Sequence, residues 1–574
     1  MYPITIFLAT KLLLSPAEVP SNPEEPAAVL LASIHSASEE LAENSELTSA
    51  PRPRPSILPI PTLEELESEG ATIGEIEIRI GDIFDAEDPD ENNRIYLTAN
   101  RLHRTTRKRV VERLLLFQRG DRFSVYRLEE SERILRAQGF LYEAEITPIA
   151  WDGRTVDLRI ETRDVWTLKG GLSVGRSGGT NDTRLSLEDS NFLGTGKEVT
   201  LKWTSDVDRS GYLLRYVDPN ISGTRAQLEL SYADNNDGSL SKVKLRRPFY
   251  SLETRRAIGG EFVENDRRDT FYTLGRVSHE FQHTSTFAEI WTGFSSGLVN
   301  DHTHRWYTGL TYQRDLFDPT NRPVLQVPFE DRILTYPWIG FESIQYKQLE
   351  THDLNLIGRT EDLDLGRRFS TRVGWASELL GGTIDQAVFA ADYSFGLMPG
   401  PRHLILFDSY STGRWDRRGL ENFWAGANVR YYWRNLGGQH AFFATLGFDS
   451  VGNLDPEHQL LLGGDTGLRG YPLRYQDGER RALLTLEQRF YTSWHPFRLA
   501  HVGAAVFFDA GRAWTPGQDV ATERGTLTDV GLGLRISPSR SGLGTMFHLD
   551  VAFPLDADGD IDKVQFLFST KESF

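Results

Sequence analysis

The sequence predicts an all-β transmembrane barrel of about 16 antiparallel strands, preceded by one small α+β domain of order β-α-α-β-β. Three observations predict it. After Trp166, short runs alternate apolar and polar residues, as in Val199-Leu201-Trp203 and Leu228-Leu230-Tyr232, between clusters of Gly, Asn, Asp and Pro. Aromatic residues reach 11% with 51 Gly, yet the mean hydropathy is −0.40, as suits strands with only one apolar face. No run approaches the roughly 18 apolar residues of a spanning helix, so strands alone would carry this chain across a membrane.

Composition excludes several classes. At 574 residues the chain is too long for one ordinary core, so at least two units are expected. The absence of cysteine excludes disulfides and thiolate metal sites. A formal charge of −18 argues against a nucleic-acid partner.

In chain order, residues 1–15 are a candidate export signal. Ile4 to Leu14 is mostly apolar, but no basic residue precedes it and Lys11 interrupts it, so the signal is atypical or the start is misplaced. Residues 16–70 are rich in Glu, Ser, Ala and Pro. With Pro51-Arg-Pro-Arg-Pro55, Pro59 and Pro61 they are expected to form a disordered acidic linker. Residues 71–165 are ordered. Ile76, Ile78 and Ile80 alternate with charges as a strand, and a first helix carries Val110, Val111, Leu114 and Leu115 up to Gly120. A second helix runs from Ser124 through Leu128, Ile134 and Leu135 to Gly139, and two strands follow, Leu141–Ala150 and Val156-Leu158-Ile160. Residues 166–574 are the barrel, where ~25 residues per strand and connection gives the count of roughly 16.

Several segments carry a family resemblance. The order of the small domain, with Gly120-Asp121-Arg122-Phe123 after its first helix and Leu135-Arg136-Ala137-Gln138-Gly139-Phe140 ending the second, resembles a single POTRA domain. Gly463-Gly464-Asp465-Thr466-Gly467-Leu468-Arg469-Gly470-Tyr471-Pro472 resembles the Arg-Gly-Tyr loop of the POTRA-barrel superfamily. That superfamily includes outer-membrane protein assembly factors, two-partner-secretion transporters and bacterial surface antigens. Phe507-Phe508-Asp509-Ala510-Gly511 resembles its Phe-x-Asp-x-Gly strand, and Asp189–Gly196 its first hairpin turn. The closing strand, with Phe566, Phe568 and the terminal Phe574, resembles the signal read by the barrel-assembly machinery. The resemblance implies that the loop residues Arg469, Gly470 and Tyr471 fold into the lumen and that Arg469 meets acidic wall residues. Glu487, which alternation places opposite Leu484, Leu486 and Phe490, and Asp509 are the expected partners. This set either pins the loop or gates the pore.

Two enzyme signatures are read as structural. His279-Glu280-Phe281-Gln282-His283 matches H-E-x-x-H, a zinc motif that works on a helix, where i and i+4 lie about 6 Å apart. Its flanks read as strand, which would put the histidines roughly 13 Å apart. Gly171-Leu172-Ser173-Val174-Gly175 matches the nucleophile elbow but lacks a strand-turn-helix setting. Arg101, Arg104, Arg107, Lys108 and Arg109, at the opening of the first helix, read as a solvated face.

The expected function is insertion of outer-membrane proteins, or translocation of polypeptide across the bacterial outer membrane. The POTRA domain, in the periplasm, would receive an extended polypeptide client. The partners are the lipid bilayer and that client, with no enzyme activity, cofactor or metal. A passive channel or structural surface protein is the alternative, and a zinc hydrolase using His279, Glu280 and His283 the remote one.

Overall fold

The structure, a computed structural model, describes residues 58–571 except 178–179, 207, 274, 321–329, 435–438, 518–524, 541–545 and 557–560. The expected signal (1–15), the linker as far as residue 57, and Phe574 lie outside the described residues. The last part of the expected linker corrects that expectation. Thr62 and Glu65 form a reciprocal capping box that opens helix α1 (Leu63–Ser68), and Leu66 is fully buried. The Thr-x-x-Glu spacing was present in the sequence, but the surrounding prolines obscured it.

The N-terminal domain then runs β1 (Thr72–Gly81), α2 (Arg94–Leu102), α3 (Lys108–Glu112), α4 (Val125–Arg136), β2 (Leu141–Trp151) and β3 (Thr155–Asp164). The sheet order is β1-β3-β2, with β1 parallel and β2 antiparallel to the central strand. Helices cover one face, and Leu66, Ile78, Val111, Leu128, Leu135 and Leu158 share the core. Two expectations are corrected. The chain between β1 and the first expected helix forms α2, where the Asn93 side chain accepts from the N–H groups of Ile95 and Tyr96. The expected helix stops at Glu112 instead of reaching Gly120. Its next carbonyls are taken by barrel side chains: Asn220 donates to Arg113 O, and Arg225 to Leu114 O and Leu115 O. The carbonyls just past the helix end are thus satisfied by the barrel instead of by a further helical turn. The arginine cluster is split accordingly, with Arg101 in α2, Arg109 in α3 and Arg104 between them.

From Leu168 to Lys571 the chain forms a closed antiparallel barrel of 20 strands, which corrects the count of 16. Connections are shorter than assumed. Asn300-Asp301 joins Arg276–Val299 to His302–Pro319 with both residues left-handed (φ 49 and 59), as a two-residue hairpin requires. The last strand, Gln565–Lys571, lies beside the first, Leu168–Ser177. The Gly171–Gly175 segment is extended backbone within that first strand, so no elbow forms.

Side chains alternate across the wall. Leu201, Leu214, Ile258, Ile290, Leu446 and Leu532 point outward and are exposed. Charged residues of the opposite parity face inward, where burial is relieved by pairing: Glu342 with Arg305, Asp449 with Arg481, and Asp408 with Arg430. An apolar exterior around a closed hydrogen-bond ladder is what lipid contact demands of a strand protein.

The domain is seated against one mouth of the barrel. Two barrel turns repeat one pattern, Asp189-x-Asn191-x-x-Gly194-Thr195 and Asp218-x-Asn220-x-x-Gly223-Thr224. In each, the Asn carboxamide oxygen accepts from the backbone N–H five residues on, and the second residue after it is left-handed. Each turn then docks on the domain, Asn191 donating to Thr106 Oγ1 (2.7 Å) and Arg107 N donating to Gly194 O (3.0 Å). Further round the same rim, Arg498 pairs with Asp88, Asp90 and Glu91, and Arg540 with Glu91.

Candidate functional site

The site lies within the barrel, built by the strands Arg480–Tyr491, Ala500–Trp514, Leu527–Pro538 and Met546–Pro554 and by the loop joining Gly452 to Arg480. Strand register sets its charges. Thr485 lies opposite Asp509, and Asp509 opposite Asp529. Two carboxylates facing each other across a ladder repel, so the wall is unfavourable as it stands. On the same parity, Glu487, Arg489, Arg535, His548 and Asp550 are all turned inward and buried.

The loop supplies the missing cation. Its base is a short pair of strands, Leu460–Leu462 and Gln476–Gly478. Its tip folds inward, where Leu468, Tyr471 and Tyr475 cluster with Leu462 of the base, with Ala513 and Leu527 of the wall, and with Ile561 of the connection before the last strand. Glycines permit two close approaches. A Cβ on Gly463 would lie 2.4 Å from Pro472 O, and one on Gly470 would lie 2.6 Å from Asp529 Cβ. Gly470 N thereby donates to Asp529 Oδ2 at 2.8 Å, while the Tyr471 hydroxyl bonds to the backbone of Thr528.

Arg469 is almost wholly buried. It binds Asp509 bidentately (Nε to Oδ2 2.7 Å, Nη2 to Oδ1 3.0 Å), and its Nη1 donates to Glu487 Oε2 (3.1 Å) and Asp550 Oδ2 (3.3 Å). The guanidinium lies over the Phe507 ring, 3.3 Å from its centroid. Glu487 is fully enclosed and receives two further arginines, Arg489 at 2.9 Å and Arg535 at 2.8 Å. Three guanidiniums thus neutralise most of the charge of Glu487, Asp509, Asp529 and Asp550. Bidentate and charge-assisted bonds of this kind offset a desolvation cost that each ion alone could not bear.

Structure therefore brings together Arg469, Gly470, Tyr471, Glu487 and Asp509. Sequence reasoning missed Asp529, Arg535 and Asp550. Each is a charge with a small residue two positions away on its strand, Gly531 beside Asp529, Gly533 beside Arg535 and Ala552 beside Asp550. That pattern was available in the sequence, but only the register shows that they converge. Phe566 and Phe568 lie on the final strand, where Phe568 stacks on Phe547 (5.9 Å between centroids, 6° between planes) and Phe566 points outward.

His279 and His283 lie in the strand Arg276–Val299. His283 is buried between Asp269 (2.7 Å) and Asp315 (3.2 Å), while His279 bonds to Ser278. The strand, and not a helix, sets their spacing, and His283 has a carboxylate on each ring nitrogen.

No family model matches the chain, and no curated protein matches it. Solved structures similar to it include BamA from Haemophilus ducreyi lacking POTRA domains 1–3, at 13% identity, covering 87% of this chain and 85% of that one, with a TM-score of 0.39. CdiB from Acinetobacter baumannii is 13% identical, covering 88% and 74%, with a TM-score of 0.39. CdiB from Escherichia coli is 12% identical, covering 96% and 99%, with a TM-score of 0.35.

Proposed function

We propose that this chain is a bacterial outer-membrane barrel that inserts outer-membrane proteins or carries polypeptide across that membrane, with a periplasmic POTRA domain receiving the client. One observation carries the reading: an Arg-Gly-Tyr loop folded into the lumen, its Arg469 held by Asp509, Glu487 and Asp550. The apolar outer face supports a lipid surround, and the β1-β3-β2 sheet behind its helices supports the POTRA assignment. That sheet ends in edge strands, where an extended client could add as a further strand. The first and last barrel strands would serve as the seam. A passive channel is less well supported, because the lumen contains a folded, ion-paired loop. Depleting the protein and profiling the outer-membrane proteome and the secretome tests the proposal. Loss of particular barrel or secreted proteins is expected, and unchanged profiles would overturn it.

A further inference from the structure

Between the barrel strands Arg332–Gln345 and Arg368–Ala376 the chain makes an excursion on the domain side, whose arms Gln348–His352 and Thr360–Asp364 pair as a hairpin. The two barrel strands are themselves paired, with Ile344 opposite Arg368, so connection alone would need only a tight turn. The tip enters the lumen instead. Leu404, Tyr432, Phe443 and Glu487 are successive cross-strand partners, so the first three share the inward face of Glu487. Against them packs Leu354, while Ile357 packs on Ala441, Tyr491 and Met546.

The wall also binds the backbone of the tip. Arg489 Nη1 donates to Leu354 O (2.8 Å), Ile357 N donates to Ser537 Oγ (3.2 Å), and the Tyr432 hydroxyl donates to Asn355 Oδ1 (3.2 Å). Apolar pockets at residues three apart, with a donor for one carbonyl and an acceptor for one N–H, are the elements of a peptide-binding site. The domain holds the hairpin from the other side. Arg136 of α4 binds Asp362 bidentately (3.0 and 2.7 Å), the Tyr142 hydroxyl donates to Gly358 O (2.8 Å), and Arg359 donates to Leu141 O (3.1 Å).

We infer that the inward face around Leu404, Tyr432, Phe443, Arg489, Tyr491 and Ser537 is a binding site for an apolar peptide segment, kept closed by the chain's own residues 353–358 until a ligand displaces them. The ligand class rests on the polypeptide-handling reading above. The domain grips this hairpin through α4 and the start of β2, so a segment arriving there meets the hairpin before the lumen. Displacement also reaches the far loop. It takes the Leu354 carbonyl away from Arg489, whose Nε holds Glu487, and Glu487 in turn holds Arg469.

The test uses the purified full-length protein, with folding followed by heat-modifiable gel mobility. In one variant residues 348–364 are replaced by a two-residue glycine-asparagine turn. A second variant, Leu354→Asp with Ile357→Asp, keeps the hairpin but expels its tip. Planar-bilayer conductance is expected to rise at least fivefold in both. A fluorescein-labelled peptide of residues 351–360 is expected to bind the turn variant at least tenfold more tightly than the intact protein, and the peptide with the same two substitutions is expected not to bind. Unchanged conductance in the folded variants would overturn the closure, and a conductance rise without peptide binding would overturn the peptide site. Neither readout involves cells or a client, so this outcome is separable from that of the depletion experiment.

Discussion

Replacing Arg469 by alanine removes one guanidinium and leaves three inward carboxylates without the partner that the loop brings them. Asp509 loses both of its bidentate bonds and still faces Asp529 across the ladder. Glu487 keeps Arg489 and Arg535, and Asp550 keeps Arg535, so the uncompensated charge is concentrated at Asp509. Breaking a buried pair in this one-sided way costs about 3–5 kcal/mol. Most of that cost falls on the inserted state of the loop, because a loop withdrawn from the lumen lets water reach the carboxylates. At about 1.4 kcal/mol per decade, the withdrawn population should rise by two orders of magnitude or more. The chain has no cysteine, so a single Leu468→Cys thiol reports on the loop without background. Leu468 is fully buried, and its maleimide labelling should be slow with Arg469 present and roughly a hundredfold faster in the Arg469→Ala background. Arg469→Lys should be intermediate, since a point charge cannot bind Asp509 bidentately. Equal labelling rates with and without Arg469 would show that the ion pairs do not hold the loop.

Burial raises the Glu132 carboxyl on α4 to about 7, only partly opposed by the bond its carboxylate accepts from Ile146 N and by Arg136. A folded-state pKa above the unfolded one favours folding in acid, and that contribution is lost as pH climbs from about 4.5 to about 7. Glu132→Gln should therefore protect residues 141–151 from hydrogen exchange at pH 8 by up to about 3 kcal/mol, with no difference at pH 4. Gly194→Ala places a Cβ 2.4 Å from Thr105 O at a φ of 70°. It should loosen the domain from the barrel, seen as faster exchange of residues 104–115, by about 1–3 kcal/mol. His283→Ala should leave the metal content of the purified protein unchanged by elemental analysis while lowering the heat-modifiability midpoint, because Asp269 and Asp315 lose a shared partner. Zinc at one per chain, lost with His283, would refute this.

Legibility followed the range of the physics involved. Alternation alone sets Glu487 on the face opposite Leu484, Leu486 and Phe490, because a pleated strand turns each successive side chain to the opposite face. The helix Val125–Arg136 was legible from its periodicity, whereas the helix expected beyond Glu112 was not formed. The Asn220 and Arg225 side chains that take its carbonyls are more than a hundred residues away. Strand number was misjudged for a simple reason: turns such as Asn300-Asp301 use two residues, and the composition of a barrel does not reveal how many turns are that tight.

The hairpin 348–364 shows the limit most clearly. Its Leu354, Leu356 and Ile357 read as one more short apolar run, and the period of two cannot distinguish a strand in the wall from a tip inside it. By itself, the sequence determined a barrel wall with an apolar and a charged face, a small α+β domain before it, and an Arg-Gly-Tyr loop near its end. Tertiary structure decided that 20 strands close the wall, that Arg469 meets three carboxylates gathered from separate strands, and that the domain and hairpin occupy the opposite mouth. The reason is physical. Local alternation settles which side a residue faces, but a carboxylate on that side has the same sequence signature whether it meets water or a guanidinium from a distant loop.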